Sequence, residues 1–273
     1  MPLSVRLFTV TCMAERVQLE PAFVLHQRPF RETSLLLEIL TPDFGRVGLV
    51  ARGARRRRAQ WRGILQPFVP LLLSWSRRGD LGTLSGAEAV GAVTLPIGER
   101  LLSAFYINEL MLRLVPRHDA NSDLFLRYRE ALAGLHGSAD LAPVLRIFEK
   151  HLLQLLGYGL VLDHDVDSGV PIDAAARYRY IAQHGPVLAA AGKRVGVAVR
   201  GATLLALAAE QLSDEVQRGE ARLLLTAILD EHVGPRPLAT RELLRELRGE
   251  QQRGERCEGQ NDAQRAAGQA RTG

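Results

Sequence analysis

Cysteine is nearly missing from this 273-residue chain, which has only Cys12 and Cys257, close to its two ends. Neither a disulfide framework nor a thiolate zinc cluster can be built from that pair, so the sequence reads as a protein of a reducing cytoplasm with two incidental thiols. Long apolar runs are missing too, since none approaches the ~20 residues that a membrane-spanning helix requires. Leu7–Val10 is thinner than a signal-peptide core and has no small-x-small cleavage site beside it. The expectation is a soluble, unsecreted protein. Lysine is limited to Lys150 and Lys193 among 35 basic residues, and aromatic residues make up only 5% of the chain.

Motifs for nucleotide chemistry are likewise missing. Gly192-Lys193 has no glycine five residues before it to form a phosphate loop, and Gly157-Tyr158-Gly159 follows a helical pattern instead of a strand. Gly82-Thr83-Leu84-Ser85-Gly86 misplaces its glycine for a nucleophile elbow. The two cysteines and seven histidines form no evident catalytic dyad. These absences point to a binding protein that is not an enzyme and uses no cofactor.

What is present is hydrophobic mass and arginine. Hydrophobic residues are 47% and charged residues 24% of the chain, enough to bury one sizeable core or two smaller ones and to exclude wholesale disorder. The formal charge is +5 and the pI is near 9.7. Residues 1–95 hold 13 Arg against 7 Asp or Glu, a net of +6, whereas residues 96–273 hold 22 Lys or Arg against 23 Asp or Glu, a net of −1. The excess lies wholly in the first third, where a polyanionic partner is to be sought.

Between Pro21 and Val90, short runs rich in Leu, Val, Ile, Phe and Trp alternate with turns: Ala22–His26, Thr33–Thr41, Arg46–Ala51, Ile64–Trp75 and Leu81–Val90. Five strands, with a connection at Gly53–Gly63 long enough for a short helix between the third and fourth, follow the order of a small OB-type barrel. Beyond Pro96 the period becomes helical. It predicts helices at Ile97–Val115, Ser122–Leu135, Leu141–Leu156, Ala202–Leu212, Arg218–Val233 and Thr240–Gly249, with a small hairpin at Arg177–Ala191 turning at Gly185-Pro186. From Gln251 no large hydrophobe remains, which predicts a disordered tail. The fold class is therefore α+β. Residues 1–16 read as an N-terminal extension, 17–95 as a five-stranded OB-fold barrel that binds nucleic acid, 96–249 as a mainly helical domain with a polar loop and hairpin inserted, and 250–273 as the tail. Met1–Cys12 finds no place in the strand count and Met13 is an available initiator, so the extension is expected to be dispensable.

The arginines cluster. Arg46, Arg52, Arg55, Arg56, Arg57, Arg58 and Arg62 lie in or beside the Gly53–Gly63 connection, Arg77 and Arg78 sit at the later hairpin, and Arg28 and Arg31 lie around Pro29 and Phe30. A guanidinium grips phosphate with two N–H groups, and neutralising several phosphates releases counterions, giving affinity that is independent of sequence and falls with salt. Four consecutive arginines repel one another unless an anion meets them, so this is the candidate DNA-binding surface. Trp61, Trp75, Phe44 and Phe68 accompany it in sequence and offer faces on which bases can stack, although Phe68 and Trp75 fit the core of the fourth strand better.

Asp163-His164-Asp165-Val166-Asp167-Ser168-Gly169 offers three carboxylates and an imidazole, a set that can hold a hard cation for metal-assisted hydrolysis. It departs from a calcium loop, because Gly169 is one place late and the twelfth position is Ala174 instead of Glu. A solvated acidic loop without metal is the plainer reading. A metal-dependent nuclease is the alternative from another class, beside an RNA-binding OB protein.

Ala22-Phe23-Val24-Leu25-His26-Gln27-Arg28-Pro29-Phe30-Arg31-Glu32-Thr33-Ser34, Leu40-Thr41-Pro42-Asp43-Phe44-Gly45 and Ala51-Arg52-Gly53-Ala54-Arg55 resemble the amino-terminal barrel of the bacterial recombination mediator family RecO. Tyr106-Ile107-Asn108-Glu109-Leu110, Phe148-Glu149, Leu155-Leu156-Gly157-Tyr158-Gly159 and Gly234-Pro235-Arg236-Pro237-Leu238 with Arg241-Glu242-Leu243 are similar to its helical domain. The resemblance runs from Val17 to Arg248. It implies an OB-fold joined to a helical domain, binding of single- and double-stranded DNA, and annealing of complementary strands coated with single-strand-binding protein. It also implies partnership with RecR, indirect help in loading RecA, and a cytoplasmic, nucleoid-associated location. A dock for the acidic, hydrophobic-tipped tail of single-strand-binding protein is implied as well. Such a dock needs an apolar pocket with an arginine at its rim, and Phe125, Arg127, Arg129, Leu145 and Arg146 are the candidates. Some relatives carry a four-cysteine zinc site after the Gly-Tyr motif, where this chain has Asp163, His164, Asp165 and Asp167, so structural zinc of that kind is not expected.

Overall fold

The computed structural model describes residues 15–56, 61, 63–91, 95–137, 140–189, 196–244 and 246. Most of the expected N-terminal extension, Arg57, Arg58, Arg62, both cysteines and the expected tail lie outside the described residues. Strands β1 (Glu15–Phe30), β2 (Ser34–Thr41), β3 (Gly45–Ala51), β4 (Pro70–Arg77) and β5 (Leu81–Ala89) form a closed barrel in the order β1-β2-β3-β5-β4. β3 and β5 run parallel and the other neighbours antiparallel, which is the OB arrangement expected from the strand order.

β1 closes the barrel by serving two partners. Its first half pairs with β4, from Glu15 opposite Arg77 to Phe23 opposite Pro70, and its second half with β2, from Phe23 opposite Leu40 to Phe30 opposite Ser34. Register shifts between Val17 and Glu20 and between Val24 and His26 bend the strand, and at the first Leu19 adopts φ 51° and donates its N–H to Ser74 Oγ at 3.0 Å. Bulges of this kind raise the local twist and turn the strand around the barrel. The sequence reading recovers only Ala22–His26 because Pro21, Pro29 and their polar neighbours mask the rest. Glu15 and Arg16, assigned to the extension, are the first residues of this strand. In the Gly53–Gly63 connection residues 53–56, 61 and 63 form turns and a bend, and the rest of the stretch in which a short helix is expected lies outside the described residues.

Leu37 and Ile39 of β2, Val47 and Leu49 of β3, Leu71, Leu73 and Trp75 of β4 and Leu84 of β5 belong to one core cluster and are all buried, each contributing ~1.5–3 kcal/mol. Phe23, Leu25, Leu36 and Leu40 alternate with inward positions and are buried as well, so the β1–β2 sheet is apolar on both faces. Beyond the barrel come α1 (Gly98–Leu114), α2 (Ser122–His136) and α3 (Leu141–Leu155). Asn121 starts α2, its Oδ1 accepting the Leu124 N–H at 2.8 Å. The rings of Phe125 and Tyr128 on α2 lie 5.5 and 5.2 Å from that of Phe23. Accordingly, one compact unit joins the described residues up to Leu95 with Val115–Ala133, and a second joins Pro96–Leu114 with the described residues from Gly134 onward. Residues 115–133, which the sequence places with the helices, thus cover the barrel.

The second unit contains α1, α3 and a three-stranded sheet in the order β7-β6-β8, built from β6 (Arg177–Ile181), β7 (Gly185–Leu188) and β8 (Val197–Arg200). α4 (Gly201–Ala208), α5 (Glu215–Val233) and a helical segment at 239–244 complete it. The hairpin turns at residues 182–184, with Gln183 at φ 59°, so that the expected turn residues Gly185 and Pro186 instead begin β7, and β8 had no counterpart in the sequence reading. α5 starts earlier because Asp214 and Gln217 form a reciprocal capping box. Ile107, Leu110, Leu152, Leu153, Leu224 and Leu229 are fully buried in this unit. No helix among the described residues is long and apolar enough to cross a membrane.

Candidate nucleic-acid interface

The turn between β1 and β2 and the chain leaving β3 meet at one end of the barrel. The Arg55 N–H donates to the Thr33 carbonyl at 2.9 Å, and its guanidinium donates to the Glu32 carbonyl at 3.4 Å. Ala54 is buried against the barrel core and fixes the loop, while Arg52, Arg55 and Arg56 on either side of it are exposed. Gly53 sits at φ 71° in a turn closed by the Arg56 N–H on its carbonyl, a conformation that costs glycine little. Arg31, at φ 52° in the neighbouring turn, lies 5.3 Å over the Phe30 ring, and Arg28 is exposed on β1. These five arginines have no carboxylate within ion-pair distance among the described residues.

The other arginines are differently placed. Arg46 is half-buried beside Glu38, with its Nε 3.6 Å from a carboxylate oxygen, and burial depresses its pKa. Arg117, which the sequence reading did not single out, donates to both oxygens of the same carboxylate. Arg77 donates to Glu15 at 2.8 and 3.0 Å and to His118 Nδ1 at 2.7 Å. Arg78 is exposed in the β4–β5 turn. The arginine set therefore splits: Arg46 and Arg77 are already matched by carboxylates from the barrel, and Arg28, Arg31, Arg52, Arg55 and Arg56 are not. A matched guanidinium has little counterion left to exchange for phosphate.

The aromatic residues do not form the stacking platform that their sequence positions offer. Trp75 and Phe68 are core residues at 1% and 2% exposure, Phe44 packs edge-on against Trp75 at 5.4 Å, and Trp61 packs against the same core. Among the described residues the barrel end presents guanidinium groups, suited to phosphate, with the half-buried Phe30 ring covered by Arg31.

Comparison with known proteins covers both parts of the chain, the barrel strands and the residues that follow them. Residues 13–93 match the family described as Recombination protein O N terminal, and residues 97–242 match Recombination protein O C terminal. The DNA repair protein RecO of Nitrosococcus oceani is 50% identical over 233 residues, covering 85% of this chain and 95% of the relative. The chain belongs to the RecO family. The RecO of Nitrosospira multiformis is 42% identical over 235 residues, and that of Aromatoleum aromaticum 43% over 233, each match covering 85% of this chain and 97% of the relative.

The motifs of the RecO helical domain acquire physical roles in the second unit. Glu109 of α1 accepts the Ala239 N–H at 2.9 Å, the Thr240 N–H at 3.0 Å and the Thr240 hydroxyl at 2.6 Å, capping the last helical segment. Tyr106 donates to the buried Glu149 carboxylate at 2.6 Å. Arg146, expected at the rim of a peptide pocket, is instead held inside by Glu149 at 2.6 Å with 8% of its side chain exposed. Its charge stabilises a buried carboxylate. Phe125 is likewise spent in packing on Phe23, Arg127 is ion-paired with Glu130, Arg129 is exposed and Leu145 half-buried. Phe125, Arg127 and Arg129 belong to the first unit and Leu145 and Arg146 to the second.

The acidic segment is organised around one residue. Asp165 accepts the Asp167 and Ser168 N–H groups at 2.9 Å each and the Leu188 N–H at 2.5 Å. Burial raises its pKa, but these bonds outweigh that and leave it below the ordinary carboxylate value. His164 pairs with Asp163, and His184 with Asp167 at 3.1 Å. No three metal-ligating side chains converge among the described residues. With Asp165 committed to backbone N–H groups, the residues present do not fit the four-cysteine zinc site of some RecO relatives.

Proposed function

We propose that the chain binds single- and double-stranded DNA through the arginine-lined end of its barrel, anneals complementary strands and, with RecR, helps load RecA onto DNA coated with single-strand-binding protein. The observation that carries this reading is the convergence of Arg28, Arg31, Arg52, Arg55 and Arg56 on one end of the barrel, exposed and unmatched by carboxylates. Membership of the RecO family supports DNA as the polyanion and repair as the setting. Annealing requires two like-charged backbones to approach while their base edges stay free. Guanidinium groups that neutralise phosphate meet both conditions, because phosphate contacts carry no sequence information. The role is non-enzymatic and belongs to the nucleoid of the cytoplasm. The commitment of Asp165 to backbone N–H groups weighs against a nuclease.

The test is annealing of labelled strands precoated with single-strand-binding protein, with magnesium present, for the wild type and for Arg52→Ala/Arg55→Ala/Arg56→Ala. Faster pairing without cleavage by the wild type supports the reading. The variant should pair strands more slowly and lower the slope of log affinity against log salt by ~0.7–0.9 per lost phosphate contact. Cleavage would indicate a nuclease. Equal action on matched RNA strands would indicate an RNA-binding role.

A further inference from the structure

A cavity of about 500 Å³ lies in the second unit between the end of α3, the β6–β7 hairpin and α5. Its wall is set by the way α3 stops. The Gly157 N–H donates to the Gln154 carbonyl and the Tyr158 N–H to the Leu153 carbonyl, with Gly157 at φ 85°. This paired closure is the Schellman motif, and it fixes the direction in which Tyr158 leaves the helix. The Tyr158 ring stacks on His232 of α5 with centroids 3.8 Å apart and planes 21° from parallel, yet the residue is 47% exposed. An aromatic pair is thus presented open-sided at the cavity.

The polar groups around the rings are suited to a hydrogen-bonding edge. Tyr180 Oη accepts the Val161 N–H at 3.2 Å, which leaves its own proton to donate. Gln183 commits its amide nitrogen to Glu231 at 3.3 Å, which leaves its carbonyl oxygen to accept. Among the described residues no arginine or lysine lines the cavity, so an anionic group meets no guanidinium or ammonium there, only the imidazoles of His184 and His232. The carboxylates of Asp167 and Glu231 at its edge are already engaged by His184 and Gln183, which disfavours a cation. Gly159 lines the cavity, and a Cβ there would meet nothing within 4 Å, so a side chain can be added at this wall. A flat, neutral ring with a donor and an acceptor on its edge fits this chemistry, and cavities of this size suit ligands of about nucleoside size.

We propose that this cavity receives one unpaired nucleobase, stacked on Tyr158, with the phosphates remaining outside. The assignment rests on the chain being a nucleic-acid binder, as proposed above, but concerns a surface separate from the barrel arginines. It gives the second unit, whose charge is near neutral, a contact to single strands that duplex DNA cannot make. Base-on-aromatic stacking is tolerant of sequence, so the contact is compatible with pairing of any strand.

The experiment measures binding of a single strand containing 2-aminopurine, and of its duplex, across a salt series. Tyr158→Leu should weaken single-strand binding about tenfold, the scale of one lost base stack, and reduce the aminopurine fluorescence change. Duplex affinity and both salt slopes should stay at wild-type values. Gly159→Leu, which adds bulk at the lining without straining the backbone, should do the same, and Tyr158→Phe should behave as wild type. Wild-type single-strand binding and fluorescence in both Tyr158→Leu and Gly159→Leu would overturn the proposal while leaving the barrel reading intact. Loss of oligoarginine binding in Tyr158→Leu with unchanged single-strand affinity would also overturn it, assigning the cavity to a basic peptide. A wild-type protein that binds neither strand would overturn the barrel reading and this one together.

Discussion

Arg146 and Glu149, one helical turn apart on α3, form their ion pair inside the second unit, with 8% and 0% of their side chains exposed. The same Glu149 oxygen accepts the Tyr106 hydroxyl at 2.6 Å, and Arg241 donates to Tyr106 at 3.1 Å while lying 5.4 Å over its ring. Burial pushes the Glu149 carboxyl up against the opposing pull of Arg146 and the Tyr106 hydrogen bond, and it pushes the Tyr106 hydroxyl far up as well. The other carboxylate oxygen of Glu149 is buried and has no hydrogen-bond partner among the described residues. The network is a place where one lost partner is costly.

Arg146→Ala should therefore destabilise the protein by ~3–5 kcal/mol, because it strands a buried carboxylate. Arg146→Leu/Glu149→Leu, which removes both charges, should cost much less. Denaturant melts of the single and double variants check this. A wild-type melt for Arg146→Ala, together with loss of binding to an acidic peptide, would return Arg146 to the peptide-pocket role.

Asp165 makes stability depend on acid. Its carboxyl titrates below the ordinary value of 3.8 in the folded protein. A depressed carboxylate contributes its stabilisation in full above the unfolded value and loses it as pH falls through the folded one. Asp165→Asn places an amide N–H₂ or a single acceptor where two oxygens served three N–H groups, and should cost ~1–3 kcal/mol near neutrality. The gap between wild type and variant should hold down to about pH 5 and close below the ordinary carboxylate range. Urea melts at several pH values measure it.

How much of this was legible in the sequence depended on range. The barrel order was readable because Leu37, Ile39, Leu71, Leu73 and Trp75 alternate at strand spacing and turn residues separate the runs. Full-length β1 was not, because a bent strand with prolines opposite Leu72 and Leu35 breaks the pattern. The exposed arginines at the barrel end were identifiable by type, but their separation from Arg46 and Arg77 was not. That split depends on Glu38 and Glu15, on other strands, and on Arg117 from beyond the barrel. The burial of Arg146 was not readable for the same reason: its neighbours in sequence are half-buried, and only the fold reveals Tyr106 and Arg241 around its partner. Tyr158 carried a signal in Gly157-Tyr158-Gly159, but its stacking on His232 joins residues 74 positions apart.

The last helical segment hangs on Glu109. Burial raises the pKa of this carboxylate, but its bonds with Thr240 and Ala239 bring it below the ordinary value. Glu109→Ala should remove the cap of residues 239–244 at a cost of ~1–2 kcal/mol. Trypsin should then cut after Arg241 sooner than in the wild type, before the rest of the second unit is cleaved. Unchanged cleavage would mean that packing of Leu238, which is 3% exposed, holds the segment without the cap.

The two groups of barrel arginines should separate in salt titrations. Arg46 is half-buried and faces Glu38 together with Arg117, so Arg46→Ala removes a charge already balanced within the protein. It should leave the salt slope of DNA binding nearly unchanged, because no phosphate counterion is lost with it. Arg55→Ala removes an unmatched charge and should lower that slope by ~0.7–0.9 if the guanidinium meets one phosphate. Glu38→Gln supplies the converse. It unmasks Arg46 and Arg117 at once, and should steepen the slope and tighten binding at low salt if the DNA path crosses β2 and β3. Equal slopes for Arg46→Ala and Arg55→Ala would show that DNA displaces Glu38 and draws on both groups alike. A steeper slope in Glu38→Gln, with Arg46→Ala silent, would place the phosphate path over β3 and show that Glu38 limits DNA affinity.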